Sequence, residues 1–233
     1  KHEIKDAIEY IAMANKDNIY TRATARQYND IVEKYNSTCP DARLLSGVPL
    51  PGNKYRIYAD AFDTEKGVFV NREIMAGSSS LEIKAAGSYY KAVETDGAGV
   101  HTEHSKYEWY CELTADGFLT FRNVGNMNLY LGNGVVTEEP YKWSMSTLGT
   151  QRHGVPLMNF AQQYLALYND GTRWMGNLKA PQDQAVAPAF VDHDNSAETE
   201  SQKVEKGLCT DFVFIPVPLE GNEKKVTIAG NEL

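Results

Sequence analysis

The chain has 233 residues, 42% hydrophobic and 23% charged, with 31 acidic against 23 basic side chains and a net charge of −8. That is enough chain for one large domain or a domain with an appendage, in an ordinary globular composition. The acidic balance argues against nucleic acid, which needs a basic face. No apolar run approaches the about 20 residues that span a bilayer.

Residues 3–35 read as a helical hairpin. Ile4, Ala7, Ile8 and Ile11 recur at the spacing of one helix face, and a break comes next around Asn15–Asn18. Thr21 or Thr24 would cap a second helix whose apolar stripe is Tyr28, Ile31, Val32 and Tyr35, with Pro40 ending the pattern. Helices this short depend on tertiary packing, so the Ile8/Ile11 and Ile31/Val32 faces are expected to lie against the β module. Residues 1–45 therefore form the helical segment, and the Pro/Gly-containing stretch 46–53 a linker.

From Tyr55 the hydrophobic period switches to two. Asp96-Gly97, Asp116-Gly117, Asn133-Gly134 and Asp170-Gly171 mark turns between short strands. Self-similarity then organises the β region, 54–218. Tyr107-x-Trp109 and Tyr141-x-Trp143 share a frame, and Thr210–Phe214 keeps the alternation with Phe212 in place of Trp. Each is followed or preceded by further strands, such as Gly117–Val124 with Asn128–Gly132, and Gly154–Phe160 with Gln163–Tyr168. Lys54–Ala59 and Gly67–Val70 form the opening copy. The copies are unequal: 34 residues separate Trp109 from Trp143, and 69 separate Trp143 from Phe212. Insertions at 87–105 and 177–206 account for the difference, the second a long polar loop expected to be mobile. Residues 219–233 form a tail, with a candidate strand at 224–230, or the start of a further segment. The chain begins at Lys1 without an apolar signal segment, which marks a processed end or a boundary within a longer protein.

Three such copies, each ending in an aromatic-x-apolar strand, resemble the β-trefoil, and ricin-type lectin domains in particular, which carry Gln-x-Trp near the end of each repeat. The resemblance covers roughly residues 55–217. The Gln of that frame is absent here throughout, with Tyr107 and Tyr141 in its place. It implies a mainly β fold, a β-trefoil of three pseudo-repeats preceded by a short helical hairpin. Closure would remove exposed strand edges and bring Trp109, Phe121, Trp143, Leu157, Leu165, Phe212 and Phe214 into a common core. The helices-plus-trefoil arrangement also resembles accessory regions of secreted glycan-processing proteins of gut Bacteroidetes-like bacteria.

A sugar site needs an aromatic platform beside hydrogen-bonding Asp or Asn. The segment Tyr168–Asn177 offers Tyr168 and Trp174 as rings, with Asp170 and Asn177 as polar partners. The plain alternative is a hairpin whose Asp-Gly makes the turn and whose Trp packs inward. The corresponding stretch of the preceding copy offers Asn126, Asn128 and Tyr130, where the amides equally suit turn backbones. No catalytic motif is present, neither a nucleophile elbow nor a His-Glu-x-x-His nor a phosphate loop. The His101–His104 and Asp192–Asp194 clusters read as surface loops, the three cysteines lack metal-ligand spacing, and no metal or other cofactor is expected.

The leading expectation is thus a non-catalytic carbohydrate-binding module, secreted or at the cell surface, whose partners are a glycan and the neighbouring domains of a larger chain. A protein-interaction trefoil and a glycoside hydrolase-associated domain are the alternatives.

Overall fold

The computed structural model describes residues 22–38, 46–63, 68–86, 104–144, 154–168, 170–178, 208–210, 212–219, 227–228 and 231–232. Within them the protein is mainly β with antiparallel sheets and one α-helix, α1 (Arg22–Thr38). Thr38 Oγ1 closes the far end of the helix by donating to the Lys34 carbonyl at 2.6 Å. The expected first helix, the Cys39 and Pro40 region, most of both insertions, and the His101 and Asp192–Asp194 clusters lie outside the described residues.

Six strands form the framework: β1 (Lys54–Asp63), β4 (Glu108–Leu113), β5 (Leu119–Asn123), β8 (Trp143–Ser144), β9 (Met158–Asn159) and β12 (Phe212–Val217). Pairing runs from β1 to β4, β5, β8 and β9, while β12 pairs with the other side of β1. Just ahead of β9, Val155 and Phe212 bridge with backbone bonds of 2.7 and 3.3 Å, so the chain of pairings returns to its first strand.

The register repeats three times. Trp109 stands opposite Tyr55 on one side and Asn123 on the other; Trp143 stands opposite Leu119 and Asn159; Phe212 stands opposite Val155 and Ala59. On each outer partner strand the two contacts are four residues apart. Midway between them lies a fully buried apolar side chain, Ile57, Phe121 or Leu157. All seven expected core residues are buried, and Phe121 stacks on Phe214 with centroids 5.3 Å apart. A buried side chain of this size is worth about 1.5–3 kcal/mol relative to exposure.

Three further pairs stand off this framework: β2 (Val68–Ala76) with β3 (Leu81–Ala85), β6 (Tyr130–Leu131) with β7 (Val136–Thr137), and β10 (Leu167–Tyr168) with β11 (Leu208–Cys209). Two of the framework aromatics each bond to one of them. The Trp109 indole donates to the Ile74 carbonyl at 3.4 Å and the Trp143 indole to the Leu131 carbonyl at 2.9 Å. Phe212, lacking a donor, makes no such bond. In the tail, β13 (Thr227–Ile228) pairs with β14 (Asn231–Glu232).

The second helix docks as its stripe predicts. Ala25, Tyr28 and Val32 are buried in the same core as the strands, with Ile31 packed against it. Asn29 fixes the docking by accepting from the Val48 N–H at 2.7 Å and donating to its carbonyl at 2.9 Å. The 46–53 stretch is itself packed: Ser46 and Val48 are each 2% exposed, the Phe214 N–H donates to Ser46 Oγ, and the Leu50 N–H donates to Tyr55 Oη. It acts as a strap between helix and sheet.

Candidate functional site

The three further pairs meet around Trp174. Ser80, beside β3, bridges to Val135, beside β7. Trp174 bridges to Leu167 and donates its indole N–H to the Leu81 carbonyl at 2.8 Å. Asn133 Nδ2 donates to the Gly176 carbonyl at 2.7 Å. Gly134, at φ 78°, lies under the indole: a Cβ there would be 3.1 Å from Trp174 Cβ, so the turn needs a residue with neither a side chain nor a steric objection to positive φ. Trp174 is therefore a partly buried wedge, and its ring edge is already used by the fold.

The other members of the expected sugar cluster share this turn. Gly171 N–H donates to the Tyr168 carbonyl at 2.7 Å and Tyr168 N–H to the Arg173 carbonyl at 3.1 Å. Asp170 Oδ1 accepts from the Thr172 N–H at 3.0 Å and from its hydroxyl at 2.8 Å, a side-chain-closed turn. Gly171 takes φ 69°. Tyr168 is half-buried, and the Arg173 guanidinium sits 3.7 Å from its ring centroid, over one face. Asn177 is exposed one turn further on. Sequence order alone brought Tyr168, Asp170, Trp174 and Asn177 together. It did not disclose Arg173 as the lid of the Tyr168 ring, though its place beside Trp174 was visible.

Asn126, Asn128 and Tyr130 lie on the loop from β5 into β6. The Asn126 N–H donates to Asn123 Oδ1 at 3.0 Å, and Asn126 Oδ1 accepts from the Asn128 N–H at 3.1 Å. Both Asn126 and Asn128 are exposed, whereas Tyr130 is buried with the Arg122 guanidinium 5.0 Å from its ring. The amides thus shape the loop as well as facing water.

Two further features were not anticipated. Phe160 is 79% exposed at a turn where Gln162 takes φ 60°. It meets Phe118 edge-on at 6.1 Å, beside Lys142, which pairs with Asp116 at 2.6 Å. The Lys142 and Thr114 hydrogen bonds hold the Asp116 carboxyl below its ordinary pKa. Across β1, β2 and β4 runs a layer of buried charge: Arg56 forks onto Glu73, with the second bond at 2.7 Å, and Lys54 lies 3.4 Å from Glu108. Burial alone would lower the Arg56 pKa, but its bonds to Glu73 raise it instead. Burial pushes the neighbouring Tyr58 hydroxyl up. The thiols of Cys111 and Cys209 are buried, and burial raises the Cys111 pKa. Among the described residues no group of three or more His, Cys, Asp or Glu could hold a metal ion, and no helix is long and apolar enough to cross a membrane.

No family model matches the chain, and none of the curated proteins does. Among solved structures it is similar to a GH54 arabinofuranosidase soaked with 4-nitrophenyl arabinofuranoside, and to an arabinofuranosidase complexed with arabinofuranosyl-alpha-1,2-xylobiose. Each has 10% identity over 74% of this chain, with a TM-score of 0.41. A GH54 arabinofuranosidase soaked with a cyclic sulfate inhibitor gives 0.39. The chain spans about a third of the length of these enzymes, 33% in each case.

Proposed function

We propose that residues 54–218 form a β-trefoil, similar to ricin-type lectin domains, that binds carbohydrate without catalysing a reaction. The module would serve a secreted or cell-surface glycan-processing protein. The threefold register of Trp109, Trp143 and Phe212, with one standing strand pair per copy, supports the fold. The observation that carries the function is the turn at 168–177. It gathers a ring, a guanidinium, a carboxylate, a hydroxyl and an amide at the junction of three strand pairs. Sugar hydroxyls are read by such polar groups and sugar faces by flat side chains.

A protein-docking module is the second reading, and Phe160 is the observation that favours it, because an exposed aromatic beside a charged pair suits an interface anchor. A glycan array with the intact chain and a Trp174→Ala variant decides between them. Selective binding lost in the variant supports the sugar site. Silence from both, with partner capture that is lost in Phe160→Ala, supports docking.

A further inference from the structure

The 168–173 turn carries positive charge that the chain's overall balance does not foretell. The protein is net −8, and carboxylates on or beside the sheet are matched with cations: Glu73 with Arg56, Glu108 with Lys54, Glu112 with Arg122, Asp116 with Lys142. Among the described arginines of the strands and their turns, Arg72 and Arg173 stand outside this pattern, and both lie at one turn. Arg173 is exposed and rests on the Tyr168 ring at 3.7 Å. Arg72 reaches the same turn from β2 and lays its stem across Gly171. A Cβ at that glycine would be 2.8 Å from Arg72 Cγ and 3.1 Å from Nε. Among the described residues neither arginine forms an ion pair with a carboxylate, and Arg72 makes only a long 3.5 Å bond to the Asn71 carbonyl. The turn's own carboxylate, Asp170, directs Oδ1 to Thr172.

We infer that this turn binds the carboxylate of an acidic sugar, a uronate, with Arg72 and Arg173 reading the charge. The inference rests on the glycan-binding reading and names its substrate class. A guanidinium meets a carboxylate with two parallel N–H bonds, and it does so best when its plane is already fixed. Stacking on Tyr168 fixes Arg173, and the side-chain-free surface of Gly171 seats Arg72. Less side-chain freedom then remains to be lost on binding. The chain as a whole is net −8, which repels long polyanions. The fitting ligand is therefore a short acidic unit rather than a highly charged polymer.

The test is calorimetric titration of the intact chain with trigalacturonate and with its carboxyl-reduced, neutral counterpart, at low and high salt. The acidic trimer should bind at least about tenfold more tightly, with a preference that shrinks as salt screens it. Arg173→Gln and Arg72→Gln should each collapse the preference, while Arg173→Lys keeps part of it. Unchanged melting temperatures would show the variants folded. Equal affinity for both trimers would overturn the inference and leave the glycan-binding reading standing. So would an acid preference that survives in the Arg72→Gln/Arg173→Gln double variant. Failure of both trimers overturns it as well, and the array with Trp174→Ala then tells whether the broader reading falls too.

Discussion

Two of the three aromatic strands carry a Trp–Asn unit, and the third carries Phe–Ala. Trp109 faces Asn123 and Trp143 faces Asn159, both asparagines buried at the last position of their strand. Each closes the next loop with its side chain: Asn123 Oδ1 accepts from the Asn126 N–H, and Asn159 Oδ1 accepts from the Gln163 N–H at 2.8 Å. At the seam between the chain's first and last framework strands, Phe212 faces Ala59. Ala59 has nothing with which to close a loop, and β1 runs on to Asp63, paired with β2 along the way. The same seam holds the Arg56–Glu73 layer. A single side-chain amide therefore accompanies a tight turn where it is present, and a long ladder where it is absent.

The sharpest way to break this comparison is Trp143→Ala. The ring is fully buried and its N–H is bonded, so the loss should be about 3–5 kcal/mol by urea denaturation. Trp143→Phe copies the seam and should cost distinctly less; equal losses would mean that the indole bond and shape are not what distinguishes the copies. The second test is aimed at the seam itself. Glu73→Gln removes the carboxylate charge onto which buried Arg56 forks and should cost up to about 3–5 kcal/mol, the range for breaking a buried pair. A variant as stable as the parent would show the layer to be solvated.

Asn159→Ala should cost about 1–3 kcal/mol, because it leaves the Gln163 N–H and the Tyr141 hydroxyl without their partner. Hydrogen exchange at Gln163 should rise with it. Unaltered exchange there would remove the asparagine from the account of the turn.

The smallest effect is a pH dependence at Asp116. Its folded pKa lies below the unfolded value, so its pairing with Lys142 stabilises the protein above the unfolded pKa of about 3.9 and is lost as pH falls through the folded one. Asp116→Asn should remove that acid-limb slope while shifting stability at neutral pH only slightly, as befits an exposed pair. Proton titration by NMR checks the direction.

Legibility in the sequence fell with distance along the chain. Period-two alternation, the Asx-Gly turns and the Tyr-x-Trp frames are local signals. They placed strands, turns at Gly117, Gly134 and Gly171, and the core aromatics where the structure has them. The Tyr28/Ile31/Val32 stripe likewise told which helix face would be covered. The asparagines were readable as turn formers, but their register against tryptophan was not. Register depends on which strands become neighbours, and composition is silent on that.

The sequence by itself determined a mainly β protein with repeated aromatic strands and a helix seeking a core, because burial and turn chemistry act over a few residues. Only the tertiary structure decided that Trp174 would be wedged between hairpins, its indole bonded to Leu81, which lies 93 residues away. Only it brought Arg72 across Gly171. Such contacts arise from how the strand pairs close on one another, and chain separation hides them from any local pattern.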